Sequence, residues 1–224
     1  VYMLGTLVLL IPFPMLFAAM LNGPSIRAKG LWKSLMYLPA LTSVVVAGTL
    51  FRLMFGEMPT AQMNQLLISL GHEPIKWLKN ANTGMFALLV LACWRWTGVN
   101  MIYFLAGLSN IDDDIYEAAE IDGASGWKSF IYISIPLLKP TIIYVLTISI
   151  YAGLAMFLES FMLWNGNASP NNIGLTIVGY LYRRGIERNQ LGYASAVGLV
   201  LLVIALIINL VQLKWNGIFD EEAA

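Results

Sequence analysis

Charge is the first thing this chain is short of. Of its 224 residues, 12% are charged, with 13 Lys and Arg balancing 13 Asp and Glu. A soluble domain carries about 25%. The zero net charge offers no basic face for nucleic acid. Cysteine is nearly absent too, and a lone Cys93 inside an apolar run forms no intrachain disulfide and no Cys-rich metal site. The single histidine, His72, lies in a polar stretch and reads as a solvated loop residue. There is no G-x-x-x-x-G-K-[ST] phosphate loop. The nearest approach, GASGWKS from Gly123, puts Trp127 between Gly126 and Lys128, which does not encode the phosphate cradle. HExxH, a nucleophile elbow and Cys/His clusters are also missing, so an enzyme reading has no catalytic constellation to rest on. Val1 opens inside an apolar run without a basic n-region, which is unlike a signal peptide. The expectation is that an earlier membrane span precedes it.

Apolar residues are what the chain has in excess, at 58%. A membrane-spanning helix needs about 20 of them in a run. Five segments qualify, at about 1–21, 35–55, 84–108, 137–164 and 190–213. The fold class expected is all-α: a polytopic membrane helical bundle forming one domain over 1–224. Pro12 and Pro14 should kink the first span, and Pro39 lies near the start of the second. Neighbouring helices can satisfy the carbonyls such prolines free. Connections then alternate sides, with 22–34, 109–136 and 214–224 on one and 56–83 and 165–189 on the other. Arg27, Lys29, Lys33, Lys128, Lys139 and Lys214 face Arg52, Lys76, Lys79, Arg183, Arg184 and Arg188, so counting basic residues does not orient the protein.

Two connections have internal order. Met63, Leu66, Leu67 and Leu70 fall on one face of a helix that Gly71 would end. That face suits either a partner at the membrane surface or packing on the bundle. The segment 109–136 holds six acidic residues between Asp112 and Asp122. Asp114-x-x-Glu117 has the form of a capping box, predicting a helix from about Ile115 to Ile121. Gly123 permits a turn with positive φ, and Ser125 can cap a second helix running to about Ile135. Small Ala118 and Ala119, ringed by Glu117, Glu120 and Asp122, would let a basic partner approach closely. A polar loop whose acids merely cap helices is the alternative.

Within the spans, Trp96, Asn100, Tyr103 and Gly107 share one helical stripe, as do Tyr144, Thr147 and Tyr151. Such stripes suit the interior of a complex better than lipid, and they serve either a solute path or helix packing. Arg95 sits beside the first stripe near mid-membrane, where an unpaired charge costs at least ~2.5–3.5 kcal/mol. It therefore needs a partner or a wet cavity.

Glu117-Ala118-Ala119, Asp122-Gly123-Ala124, Phe130, Ile133, Pro136 and Pro140 together resemble the EAA signature of ABC-importer permeases, closest to the carbohydrate group related to the maltose permeases. FLAGLSNI before it and LGYASAVGLVLLVIAL near the end are similar to that group as well, so the resemblance spans nearly the whole chain. Ile135 stands where the group usually has Leu. The resemblance implies a multi-pass protein of the bacterial inner membrane that imports a sugar or related solute. Glu117, Ala118, Ala119, Asp122, Gly123 and Ala124 would form a cytoplasmic helix-turn-helix that couples to an ATPase. Ser25 and Ser125 would face the cytoplasm and Asn167 the outside. The implied partners are a second related permease, two ATPase subunits holding ATP and Mg, an extracytoplasmic solute-binding protein and membrane lipid. This chain itself would carry no cofactor. Arg95, Trp96, Asn100, Tyr103, Tyr144, Thr147 and Tyr151 are the candidate pathway residues. The competing reading is a self-sufficient channel or ion-coupled transporter, which would not co-purify with an ATPase.

Overall fold

The computed structural model describes residues 1–23, 26–167 and 169–216. Ser25 and the segment 217–224 of the last connection lie outside the described residues, as do Pro24 and Ala168. The described residues are helices and connections, with no strand among them. Three helical spans are long and apolar enough to cross a membrane: Tyr2–Asn22, Ala81–Leu108 and Leu191–Trp215. Two bent pairs raise the number to five if each counts as one span.

The first span is two helices, α1 (Tyr2–Leu10) and α2 (Pro12–Asn22), meeting at Ile11. Pro12 and Pro14 lack the N–H groups that the Val8 and Leu10 carbonyls would otherwise use, which is why the break falls there. The second expected span is not one helix. It divides into α3 (Lys29–Leu41) and α4 (Val44–Met54), set at 91°. Thr42 and Ser43 are extended between them, with ψ of 133° and 135°. Hydroxyl side chains compete with the helical backbone, and the three valines that follow are poor at restarting it. The long helix α6 (Ala81–Leu108) is the hub, flanked by α1, α2, α3 and α4. At Gly98 a side chain would collide with the Met36 carbonyl, so the absent Cβ is what lets α3 lie against α6.

The short connecting helix α5 (Gln62–Ser69) forms where the apolar spacing predicts it, but that face is not what packs it on the bundle. Leu66 and Leu70 are exposed, and the fully buried residue is Asn64. Its Nδ2 donates to the carbonyls of Gly56, Met58 and Ile75, and its Oδ1 accepts from Ile75 N and Trp77 Nε1 at 3.0 and 2.9 Å. One amide thus closes the connection in place of an apolar stripe. His72 is exposed, as expected.

Beyond the segment 109–136, α9 (Lys139–Ala155) follows α8 (Gly126–Leu137) at 68°. The expected span to residue 164 stops early. Met156 is extended and Phe157 has φ −146°, after which α10 (Leu158–Leu163) begins anew. No Gly or Pro causes this break. Phe157 packs on Phe161 and Tyr182 at 5.1 and 5.2 Å, so tertiary contacts hold the chain out of helix. Past α11 (Ile177–Tyr182), α12 (Leu191–Trp215) closes the described chain and is largely exposed on its flanks. Two apolar clusters fill the bundle. One joins Phe51, Phe55, Leu88, Leu91 and Leu163 near the start of α6; the other joins Ala18, Met101, Phe104, Leu108 and Leu138 near its end.

Candidate translocation cavity and coupling element

Arg95 lies midway along the 28-residue α6, about 21 Å from Ala81 at 1.5 Å per residue. Its Nη1 donates to Glu159 Oε1 at 2.9 Å, and the two side chains are only 10% and 12% exposed. The partner that mid-membrane position demanded is therefore present. It is supplied by the helix break, because the break puts Glu159 in the first turn of α10, where the positive helix end favours a carboxylate. The Arg95 guanidinium also lies 5.3 Å from the Trp96 ring centre.

Beside this pair is a cavity of about 220 Å³, lined among others by Tyr2, Thr6, Trp96, Asn100, Tyr103 and Glu159. The first sequence stripe thus reaches it with three of its four members. Gly107 does not. A Cβ there would meet Thr141 and Leu138, so its role is to seat α9 on α6. Asn100 is buried, and its Nδ2 donates to the Leu10 carbonyl at 2.8 Å.

The second stripe comes apart. Ile148, Ser149, Ala152 and Gly153 are what α9 presents to the cavity. Tyr144 meets Tyr103 edge-on at 5.3 Å. Thr147 donates to Gln212 Oε1 on α12 at 2.9 Å, and Tyr151 is 63% exposed. Tyr144, Thr147 and Tyr151 are therefore not a common lining; the stripe straddles two interfaces because α12 packs on the same helix. Glu159 is the lining residue that periodicity missed.

The charged segment folds as expected in outline. Helix α7 (Asp113–Ile121) starts two residues early, with Asp112 at its N-cap, so Asp114-x-x-Glu117 does not act as the capping box. Three successive aspartates favour the positive helix end, and the first of them takes the cap position. Gly123 has φ +78°. Its N–H bonds to the Glu120 carbonyl, and Ala124 N–H bonds to the Ala119 carbonyl at 2.9 Å. This is a Schellman ending. Ser125 caps α8 by accepting from Lys128 N. The alanines divide accordingly: Ala119 is buried inside the turn, whereas Ala118 is exposed with Glu117 and Asp122. Ala118 is thus the one of the two alanines open to the surface. The Tyr116 and Ser134 hydroxyls, 2.9 Å apart, tie α7 to α8.

The described residues thus form an all-helical bundle with helices of membrane-spanning length, a cavity beside a buried ion pair and an exposed acidic helix-turn-helix. The chain belongs to the family described as binding-protein-dependent transport system inner membrane component, whose family model matches residues 10–220. It is a permease subunit, which sets aside the channel and ion-coupled readings. It is 51% identical over 221 residues to the arabinooligosaccharides transport system permease protein AraP of Bacillus subtilis, covering 99% of this chain and 70% of that one. Its fold matches a bacterial ABC transporter involved in import of the acidic polysaccharide alginate, with TM-score 0.81 at 25% identity, over 95% of this chain and 76% of that one. A second alginate transporter structure, in complex with an alginate pentasaccharide-bound periplasmic protein, matches with TM-score 0.79 at 26% identity, over 93% and 74%.

Proposed function

We propose that this permease imports an oligosaccharide of the arabino-oligosaccharide class, delivered by an extracytoplasmic binding protein and driven by separate ATPase chains that hold ATP and Mg. The observation that carries the reading is the 51% identity to a permease named for arabinooligosaccharides, sustained over 99% of the chain. The cavity supports it: Trp96 offers an aromatic face to sugar C–H groups, and Tyr2, Tyr103 and Ser149 offer hydroxyls. Glu117, Ala118 and Asp122 face the ATPase from the cytoplasmic side, while Ala119, Gly123 and Ala124 shape the turn that presents them. A second, related permease completes the pathway.

Reconstitution of the importer with its binding protein in proteoliposomes tests the substrate. Labelled arabinotriose should accumulate with ATP inside and not without it. Accumulation of an amino acid or peptide while arabinotriose stays outside would overturn the assignment. Single cysteines at 125 and 167 test the orientation: an impermeant thiol reagent should label 167 and not 125 in intact cells.

A further inference from the structure

The proposed solute path contains one ion pair, and only half of it is spent. Glu159 Oε1 accepts from Arg95, yet Oε2 accepts no hydrogen bond among the described residues. Glu159 lines the cavity and Arg95 does not. Arg95 is instead buried behind it, with Nη1 on the carboxylate and its guanidinium near the Trp96 ring. Two of the polar groups on the same wall are already engaged. Asn100 Nδ2 is bound to the Leu10 carbonyl, and Thr6 Oγ1 donates to the Met3 carbonyl. A carboxylate with a free oxygen accepts hydroxyl donors strongly in a site shielded from water, and it repels an anion there for the same reason.

We infer that Glu159 reads the solute in this cavity, that Arg95 is its positioning residue, and that the pair makes the path selective for neutral polyhydroxyl solutes over anionic ones. Arg95 offsets the cost of a carboxylate at mid-depth and aims it, while the break at Met156 and Phe157 delivers it to the wall. The inference rests on the cavity being the solute path. It sets this chain apart from the alginate importer whose fold it shares, since that protein imports an acidic polysaccharide.

The test uses the purified, nucleotide-free permease–ATPase complex without binding protein, so that the binding protein's own preference does not intrude. Equilibrium dialysis measures Kd for neutral arabinotriose and for acidic trigalacturonate. Glu159→Gln should weaken arabinotriose about tenfold or more, the loss of one charge-assisted hydrogen bond, and tighten trigalacturonate. Arg95→Lys should restore the neutral-over-acidic ratio that Arg95→Met loses. The exchange Arg95→Glu with Glu159→Arg should restore complex yield and invert the ratio. An unchanged ratio in Glu159→Gln, or a normal ratio in the exchange variant, would show a structural brace and overturn the inference. If Glu159→Gln does not assemble, Glu159→Asp replaces it; a weakened arabinotriose Kd supports the inference and an unchanged one overturns it. Trp96→Ala separates the two levels. Weakened arabinotriose binding there with a normal Glu159→Gln defeats only the selectivity claim, whereas no effect in Trp96→Ala defeats the cavity as the path.

Discussion

The Asn100 side-chain amide donates, at 2.8 Å, to the carbonyl of Leu10 on a helix ninety residues earlier in the chain. That carbonyl would bond the N–H of residue 14 in an unbroken helix, and residue 14 is proline. Asn100 thus repairs a bond that Pro14 removes. A residue placed by periodicity on the solute path is first of all a brace between the first span and α6.

This makes Asn100 and Pro14 a coupled pair. Asn100→Leu should destabilise the permease by about 1–3 kcal/mol, because it leaves a buried carbonyl unpaired. Pro14→Ala restores the N–H, so the double variant should recover part of the loss. Thermal unfolding of the purified complex measures both. Additive losses in the double variant would show that the amide does not act through the Leu10 carbonyl.

The contact between α3 and α6 is equally specific. Gly98→Leu would drive a side chain into the Met36 carbonyl, a backbone atom that cannot step aside. Overpacking of this kind costs about 3 kcal/mol at its usual upper end. Reduced yield of folded permease is expected, with a lower Tm in what survives. At Gly126 a Cβ would meet nothing within 4 Å, so Gly126→Ala should leave Tm within a degree or so and serves as the control.

How much of this was legible in the sequence depends on the range of the interaction. Apolar run length gave the spans beginning near residues 1, 84 and 190 to within a few residues, because lipid imposes that length on a single helix. The turn at Gly123 and the cap at Ser125 were legible because their chemistry is local. The breaks at Thr42–Ser43 and Met156–Phe157 were not. Nothing between Leu154 and Leu163 signals a stop, and the packing of Phe157 on Tyr182 that accompanies the break joins residues far apart in the chain. The need for a partner to Arg95 could be argued from burial cost alone. Its identity as Glu159 could not, since that pairing depends on the same unseen break. The stripe of Tyr144, Thr147 and Tyr151 does not line the cavity, because periodicity shows that residues share a face, not which neighbour the face meets.

Asn64 supports a further prediction. Its amide holds three carbonyls and two N–H donors across the connection from Gly56 to Trp77. Asn64→Leu keeps the branch at Cγ and removes every one of these bonds, at a cost of about 2–3 kcal/mol or more. The loss should be local. Hydrogen exchange should speed up across 56–79 while α6 stays protected. Uniform loss of protection through α6 would mean that the connection is integral to the bundle.

The proposed coupling element makes the sharpest demand, because adjacent alanines should behave differently. Ala118 is exposed beside Glu117, while Ala119 is buried in the Schellman turn whose carbonyl Ala124 N–H reaches at 2.9 Å. Ala118→Trp leaves the turn intact and fills the approach of a partner, so the permease should fold normally and lose its ATPase subunits on purification. Ala119→Trp has no room inside the turn, so the permease itself should become less stable. Glu117→Lys should act like Ala118→Trp by reversing the sign of a docking carboxylate. Gly123→Pro should act like Ala119→Trp, since proline fixes φ near −65° where the turn needs +78°. Co-purification with the ATPase and Tm of the permease alone, measured side by side, separate the two pairs. If all four variants lost the ATPase with unchanged permease Tm, the division of the signature into a presenting turn and a docking face would be wrong.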